Sequence, residues 1–266
     1  MRIRVDLAYD GGPFHGFARQ PQLRTVQGTL EDRLSRLLGQ DVDTIGAGRT
    51  DRGVHASGQV VHVDVDEGVA AATRALADRP GLRGRLDRMV GEAITIWRVR
   101  SVDPAYHARF SATERRYRYR LADAPALHPL RRFNVWHLGE ALSVDRMQAA
   151  ARHLVGEHDF ASLCRAAEGR RTVRRVDHIA IARADGLVHV AVRGPAFCHQ
   201  QIRSMVGVLV EVGRGRRDPD WASDVLAARD RSAAPRVAPP HGLTLEVVSY
   251  GRRWPAAPPS DVLDLV

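Results

Sequence analysis

The sequence predicts an α+β protein made of two halves, each built from several strands and helices. Short runs of alternating apolar and polar residues occur along the whole chain, as in strands with one buried face. Longer segments with apolar residues every three or four positions lie between them and indicate amphipathic helices. At 266 residues, the chain is long enough for one large domain or two subdomains.

Patterns in the first half predict strands and helices in alternation. Ile3, Val5 and Leu7 alternate with charged residues, as in a strand with one apolar face. Thr25 is a favoured N-cap and Gly39 a favoured helix end, so the apolar face between them is assigned to a helix. The predicted elements are a strand at 3–7, a helix from 25 to 39, a strand at 58–65, helical residues at 69–90 interrupted near Pro80, and a strand at 93–99.

The second half shows a similar mixture of patterns. Ser143 is a plausible N-cap, and Asp185-Gly186 between two apolar runs is a strong hairpin signal. The predicted elements are a strand at 113–121, a helix at 143–154, a hairpin of 176–183 with 187–192, helices around 202–210 and 221–228, and a strand at 243–250. We therefore expect domains at 1–103 and 104–251, followed by a Pro- and Ala-rich tail at 252–266.

Charge composition narrows the possible functions. The chain has 40 basic and 31 acidic side chains, a formal net charge of +9, and every basic one is arginine. The absence of lysine excludes a Walker-A phosphate loop, Schiff-base or pyridoxal phosphate chemistry on a protein amine, and ordinary kinases. Guanidinium groups pair with phosphates and stack on bases, so the positive charge favours a polyanionic partner such as a nucleic acid.

The compartment is expected to be the cytoplasm. Cys164 and Cys198 alone make neither a disulfide framework nor a zinc site. The first residues are charged and alternating, unlike a signal peptide, and no apolar run reaches the roughly 18 residues that a membrane span requires.

The most unusual stretch is a glycine-rich segment at 46–56 that surrounds Asp51. Glycine lets a backbone turn tightly or approach a ligand closely. Asp51 lies between Arg49 and Arg52, and a nearby cation keeps a carboxylate ionised by lowering its pKa. An ionised carboxylate suits a nucleophile or a charge stabiliser rather than an acid. An exposed turn between strands is the alternative interpretation of this composition.

Two further segments suggest contacts with an RNA base or with a catalytic carboxylate. Tyr117 and Tyr119 share one face of a predicted strand that also carries arginines, as a stacking platform for an unstacked base requires. An ordinary strand with buried tyrosines is the alternative. His199 and Arg203 are four residues apart on a predicted helix, where Arg203 could pair with a buried carboxylate or lie on the surface.

No metal site is expected. The twelve histidines show no ligand spacing, and Asp64 and Asp66 lack further ligands, so a metal-dependent nuclease is an improbable third alternative. Arginine runs near 171 and 216 are ordinary solvated faces that also suit phosphate contacts.

Landmarks in these segments occur in a fixed order along nearly the whole chain. They are Tyr9-Asp10-Gly11, Thr25-Val26-Gln27, Gly48-Arg49-Thr50-Asp51, Gly53-Val54-His55-Ala56, Gly58-Gln59-Val60, His107-Ala108-Arg109-Phe110-Ser111-Ala112, Arg116-Tyr117-Arg118-Tyr119, Arg203 with Gly207, and Gly242-Leu243 with Leu245. In this combination the sequence resembles the tRNA pseudouridine synthase A family.

The resemblance implies a pseudouridine synthase fold, in which two α/β halves share a continuous, mostly antiparallel sheet with helices packed on it. It implies a homodimer that converts uridine to pseudouridine in the tRNA anticodon stem-loop, at positions 38 to 40, without cofactor or metal. Carried over by position, the catalytic residues are Asp51 as nucleophile, Tyr117 against the target base and Arg203 as the ion-pair partner of Asp51. The substrate-binding residues are Arg49, Tyr117, Leu243, Arg109 and His55.

Several residues depart from the family pattern near the expected site. Arg52 stands where the family usually has alanine, and Thr244 where it has an aromatic residue. Gln200-Gln201 replaces a usual histidine and apolar residue. These departures motivate a second hypothesis, an RNA-binding or RNA-folding protein of the same fold with reduced or lost catalysis or a different RNA target.

Overall fold

A computed structural model describes residues 1–165 and 171–251, and the chain forms two compact units. Unit 1 contains Met1–Thr113 together with residues 245–251, and unit 2 contains the described residues of Glu114–Thr244. The domain boundaries expected after residues 103 and 251 stay predictions. The expected tail at 252–266 lies outside the described residues.

Unit 1 packs helices on a mostly antiparallel sheet, and its first strand, β1, lies inside that sheet with a paired strand on each side. The elements are β1 (Arg2–Tyr9), α1 (Val26–Leu38), β2 (Thr44–Gly46), β3 (His55–Asp64), α2 (Ala70–Ala77), α3 (Arg79–Val90) and β4 (Ile94–Val102). β1 pairs antiparallel with β3 on one side and β4 on the other, and β2 pairs with β3. The sequence missed β2, because three residues are too few to show an alternation.

Helix α1 begins and ends where the sequence predicts. The Thr25 hydroxyl accepts a hydrogen bond from the Gly28 amide at 3.2 Å, which caps the first turn. Gly39 ends the helix with φ of 67°, a left-handed conformation that glycine adopts without strain. The expected apolar face is buried. Local signals alone thus fix this helix.

Strand β1 is buried on both faces, which its alternation did not predict. Ile3, Val5 and Leu7 are fully buried, but the charged Arg4 on the other face is only 1% exposed. Arg4 pairs with Asp6 at 2.6 Å, and its guanidinium lies 4.7 Å from the ring centre of Tyr250. Ion pairing and cation–π contact compensate for removing this charge from water.

Unit 2 also combines helices with mostly antiparallel strands. Its α-helices and strands are β5 (Glu114–Ala122), β6 (Trp136–His137), α4 (Val144–Leu154), β7 (Gly156–Asp159), β8 (Val173–Val176), β9 (His178–Ala184), β10 (Leu187–Gly194), α5 (Gln201–Gly213), α6 (Trp221–Ala228) and the start of β11 (Leu243–Ser249). β10 pairs antiparallel with β5 and β9. The predicted fold class, α+β with a large, mostly antiparallel sheet, is confirmed.

The predicted hairpin is confirmed with a corrected start. β9 and β10 pair from Ala184 and Leu187, and the turn residues Asp185 and Gly186 have φ of 53° and 73°. Two consecutive positive φ angles are typical of the turn that Asp-Gly favours. The first strand begins at residue 178 rather than 176, because 173–176 pairs with β7 instead.

The start of helix α5 corrects another expectation. Gln200 has φ of 66°, so the helix begins only at Gln201. His199 therefore precedes the helix, and the prediction that His199 and Arg203 share a helical face is wrong. The same region contains Cys198, which the structure joins to Cys164 in a disulfide with the Cα atoms 5.8 Å apart. The sequence predicts no disulfide framework from two cysteines alone, whereas the structure pairs them across a separation of 34 residues.

Within the described part of the chain, none of the helices combines the length and the apolar character needed to cross a membrane.

Buried His62 is expected to make stability depend on pH. Its Nδ1 accepts a hydrogen bond from the Ala108 amide at 3.1 Å, and burial lowers its pKa to about 4, helped by the Arg2 charge. The unfolded chain, with a histidine pKa of about 6.5, therefore binds this proton more tightly. Stability from this group is complete above about pH 6.5 and is lost as the pH falls towards 4.

Thermal unfolding between pH 4 and pH 7 tests this expectation. The melting temperature of His62→Gln should fall less steeply on acidification than that of the wild type. His178→Gln, a substitution of a half-buried histidine in unit 2, is the control and should keep the wild-type slope. Equal slopes for all three proteins would contradict the role assigned to His62.

Candidate active site

The loop around Asp51 connects β2 to β3 and is fixed by hydrogen bonds at Gly48 and Thr50, which precede Asp51. The Tyr9 and Thr50 hydroxyl groups share a hydrogen bond of 2.8 Å. The Gln59 amide donates to the Gly48 carbonyl at 2.9 Å, and the Phe17 amide donates to the Thr50 carbonyl at 3.1 Å. These bonds connect the loop to β1, to β3 and to the segment before α1, so its backbone is held in one conformation.

A tight turn after β1 packs directly against the end of this loop. A Cβ atom built on Gly11 would lie 2.1 Å from the Val54 carbonyl oxygen, a distance that no side chain tolerates. The Gly11 amide donates to Nδ1 of His55 at 3.1 Å, and the Asp10 carboxylate lies 3.0 Å from the same nitrogen. Glycine is therefore required at position 11 for the turn to meet the loop.

Phe17 fills the space under the loop. It is 2% exposed, and a Cβ atom built on Gly46 would lie 2.5 Å from its ring. The backbone of residues 50–52 also passes close to Gly16, which has φ of 98°. The phenylalanine and two glycines thus let the loop pack closely on the segment before α1.

The charges of the loop are arranged with the cations outward. Asp51 is half-buried, whereas Arg49 and Arg52 on either side are exposed. Within residues 1–165 and 171–251, the side chains of Arg49 and Arg52 make no hydrogen bond or ion pair. Both guanidinium groups can therefore meet the phosphates of a nucleic acid without first breaking an internal contact.

Arg109 lies on another segment of unit 1, in the turn after β4. Its guanidinium stands 5.5 Å from the ring centre of Phe110, which is 76% exposed. The His107 ring stacks on Phe110 with the ring centres 4.4 Å apart, and Nδ1 of His107 accepts from the amides of Arg109 and Phe110. The turn presents an aromatic ring and a cation together, a combination that suits contact with RNA.

In unit 2, Tyr117 lies on β5 opposite Val192 of β10. It is 8% exposed, and its ring meets the Phe197 ring edge-on with the centres 5.5 Å apart. Tyr119 is also buried, as in the alternative of an ordinary strand with buried tyrosines, and the stacking platform stays a prediction. The opposite face of β5 is less exposed to solvent than the alternation suggested, because Arg118 is only 4% exposed.

Arg203 lies in the first turn of α5 and contacts the segment Arg236–Gly242, which we call the strap. Its Nε donates to the Ala238 carbonyl at 2.8 Å, and the Ala238 amide donates to the Arg203 carbonyl at 3.2 Å. Leu243 directly follows the strap and is 5% exposed. The strap thus joins Arg203 to Leu243 within unit 2.

Asp64 and Asp66 have structural contacts. Two nitrogens of the Arg2 guanidinium donate hydrogen bonds to the two carboxylate oxygens of Asp64, each at 2.7 Å. This hydrogen bonding holds the Asp64 pKa below its usual value. Asp66 accepts from the Gly68 amide at 2.8 Å. Nowhere in the described part of the chain do three or more histidine, cysteine, aspartate or glutamate side chains cluster as a metal site would require.

The predicted site residues thus fall into distinct groups. Arg49, Asp51 and His55 share the loop and the strand that follows it, and Arg109 lies in a separate turn of the same unit. Tyr117, Arg203 and Leu243 belong to unit 2.

No supporting role was predicted for Tyr9, Gln59, Tyr119 or Ala238. Tyr9, Gln59 and Tyr119 belong to landmarks quoted above, so their position was the available signal, whereas nothing in the sequence marked Ala238.

Comparison with known proteins covers most of the chain. A family model described as tRNA pseudouridine synthase matches residues 7–77 and 150–251. A protein named tRNA pseudouridine synthase A from Frankia casuarinae is 47% identical over 253 residues, covering 94% of this chain and 89% of the relative. Proteins of the same name from Streptomyces griseus and Brevibacillus brevis are 44% and 41% identical, each over 94% of this chain and over 88% and 99% of their own lengths.

Among solved structures, one chain of a Cbf5-Nop10-Gar1 complex aligns over 92% of this chain and 49% of its own length. It is 13% identical to this chain, with a TM-score of 0.36.

Proposed function

This chain belongs to the tRNA pseudouridine synthase A family, and from that membership we propose that Asp51 is the nucleophile of its reaction. The enzyme is an isomerase that converts uridine in tRNA to pseudouridine. We propose the anticodon stem-loop as the part of the tRNA on which it acts.

The reaction exchanges one bond to the sugar for another and needs no co-reactant. The Asp51 carboxylate attacks C1′ of the ribose, and the N1–C1′ bond breaks with its electron pair staying on the uracil. The uracil then rotates, C5 attacks C1′, and the Asp51 carboxylate leaves with the electrons of its own bond. Loss of the C5 proton and protonation of N1 complete an isomer of the starting nucleotide.

The main support for Asp51 as the nucleophile is the loop on which it lies, because hydrogen bonds fix that loop. Hydrogen bonds at Gly48 and Thr50 hold the loop just before Asp51, so the carboxylate is presented by a fixed support. A nucleophile that is already positioned avoids the entropy cost of ordering it in the transition state. Half-burial of Asp51 lets a substrate cover it and exclude water.

Other roles follow the family resemblance and stay proposals. Tyr117 stacks against the target base and moves the C5 proton, and Arg203 is the ion-pair partner of Asp51. Leu243 gives the base an apolar contact. Support comes from the burial of the Tyr117 ring beside Phe197 and from the anchored Nε of Arg203, since both side chains are held in one orientation.

Substrate binding is proposed to depend on exposed arginines and on the residues near Asp51. The net charge of +9 attracts a polyanion, and Arg49 and Arg52 have no hydrogen-bond or ion-pair partner to give up among the residues that the structure describes. Extruding a base from its stack costs a few kcal/mol, which guanidinium–phosphate contacts offset. Arg109 and His55 complete the proposed binding set.

We also propose that the enzyme is a cytoplasmic homodimer, as the family resemblance implies. Similarity to proteins named tRNA pseudouridine synthase A supports a location where tRNA is present. Sedimentation of the purified protein tests the dimer.

Mapping pseudouridine in tRNA from a strain that lacks the gene tests the proposed target. We expect anticodon stem-loop sites to lose the modification and to regain it when the purified protein is added. Modification lost elsewhere in the tRNA would overturn the target. Unchanged tRNA, combined with tight tRNA binding by the protein, would instead support the second hypothesis of a binding protein without catalysis.

A further inference from the structure

We propose that the strap positions the Arg203 guanidinium for catalysis, and that Tyr119 and Gly207 are positioning residues that hold the strap. This inference rests on the proposed role of Arg203. All of its residues belong to unit 2, so every contact used below lies within one compact unit.

Two hydrogen bonds to one residue fix Arg203 on the strap. Nε of Arg203 donates to the Ala238 carbonyl at 2.8 Å, and the Ala238 amide donates back to the Arg203 carbonyl at 3.2 Å. Ala238 is fully buried. Because Nε is engaged by a carbonyl, the guanidinium meets a carboxylate through its two terminal nitrogens. The position of Ala238 therefore sets the direction in which the charge points.

Tyr119 holds the next residue of the strap. Its hydroxyl donates to the Pro239 carbonyl at 2.7 Å, and its ring is fully buried. Burial raises the pKa of Tyr119, and the Arg203 charge lowers it by a smaller amount, which is consistent with a hydroxyl that stays protonated and donates near a cation. A Cβ atom built on Gly242 would lie 2.6 Å from the Tyr119 ring, so the end of the strap is also pressed against it.

Gly207 lets the strap lie against α5. It is one helical turn beyond Arg203 on the same face. A Cβ atom built there would lie 2.6 Å from the Arg236 carbonyl oxygen, so any larger residue moves either the helix or the strap. Gly207 thus keeps the beginning of the strap at the distance from which Ala238 reaches Arg203.

The strap is packed on only part of its surface. Val237 and Pro239 border a cavity of about 880 Å³, whose other walls include Trp136 and Glu211. Empty space beside a segment allows it to shift when a contact is lost, whereas a close-packed core would hold it. The Tyr119 hydrogen bond is therefore needed to keep the strap against Arg203.

Steady-state kinetics of Tyr119→Phe test the proposal. The variant keeps the buried ring and loses only the hydroxyl. We expect kcat to fall about 5- to 10-fold, the scale of one buried hydrogen bond, while KM and the Kd for tRNA stay within twofold. Gly207→Ala should lower kcat in the same way if it folds, and thermal unfolding shows whether it does.

Tyr250→Phe is the matched control, since it removes another buried tyrosine hydroxyl that donates to a backbone carbonyl, that of Ala108 at 2.8 Å. Its kcat should stay within twofold of wild type. An equal loss of kcat in Tyr119→Phe and Tyr250→Phe would reduce the effect to general destabilisation and overturn the proposal.

A double-mutant cycle with Arg203→Gln separates this proposal from the one on which it rests. If the strap acts through Arg203, Tyr119→Phe costs nothing further once Arg203 is replaced. Full activity of Arg203→Gln alone would refute the proposed role of Arg203. An inactive Arg203→Gln beside a fully active Tyr119→Phe would refute the strap and leave the proposed function standing.

Discussion

Replacing Asp51 by asparagine is expected to lower kcat for pseudouridine formation by at least about 10³-fold, as removal of a nucleophile does in other enzymes. The asparagine keeps the size of the side chain and its loop, which is fixed through Gly48 and Thr50, so the protein should fold normally. What is lost is the negative charge that attacks C1′. The measurement is single-turnover formation of pseudouridine in purified tRNA, together with thermal unfolding of the variant.

Binding of tRNA by Asp51→Asn should be retained or slightly stronger, because the substitution removes a negative charge and leaves Arg49 and Arg52 in place. Asp41→Asn is the matched control: it removes an exposed carboxylate of the same unit and should leave kcat within twofold. Wild-type turnover by Asp51→Asn would refute the proposed nucleophile. Loss of binding together with activity would mean that Asp51 acts in recognition instead.

Replacing Gly11 by alanine is expected to have the second largest effect. The added Cβ would lie 2.1 Å from the Val54 carbonyl oxygen. Since this oxygen belongs to the backbone, the clash is relieved only if one of the two main-chain segments moves. We expect the free energy of unfolding to fall by about 2–3 kcal/mol, as for an overpacked core. We also expect kcat to fall about 100-fold, because a displacement of about 1 Å in a supporting segment misplaces the nucleophile.

Gly12→Ala is the control that the chain itself offers. A Cβ atom on this neighbouring, exposed glycine would meet only the Asp10 side chain, at 3.2 Å. Its stability and kcat should stay near wild type, as measured by urea unfolding and steady-state kinetics. Equal behaviour of the two alanine variants would contradict the close approach of the turn to the loop. Loss of stability with unchanged kcat in Gly11→Ala would separate the turn from catalysis.

Local chemistry explains why much of the fold was predictable. Helix α1 is bounded by a threonine cap and a left-handed glycine, and the hairpin between β9 and β10 by Asp185 and Gly186. Each of these signals acts over a few residues, so it is readable without knowing what the element packs against. The strand β2 and the start of α5 were missed or misplaced, because a short pairing and the conformation of Gln200 have no comparable local signal.

The residue types of the candidate site were predictable from the sequence, whereas the contacts that hold the loop in place were less so. A carboxylate between arginines in a glycine-rich segment was visible in the sequence, and its order with the other landmarks identified the family resemblance. The bonds that fix the loop connect Thr50 to Tyr9 and Gly48 to Gln59, and only folding brings such distant positions together. The burial of Arg4 was unpredictable for the same reason, since Tyr250 lies at the other end of the chain.

The sequence by itself determined the ends of α1 and the turn of the hairpin between β9 and β10, the strongly basic charge, the absence of lysine chemistry and the residue types available for catalysis. Those properties depend on composition and on neighbours along the chain. Only the tertiary structure decided that glycine is needed at positions 11 and 207, and that a backbone carbonyl at Ala238 holds Arg203. Close approach and hydrogen bonding between distant segments depend on their final separation in space, which no local pattern records.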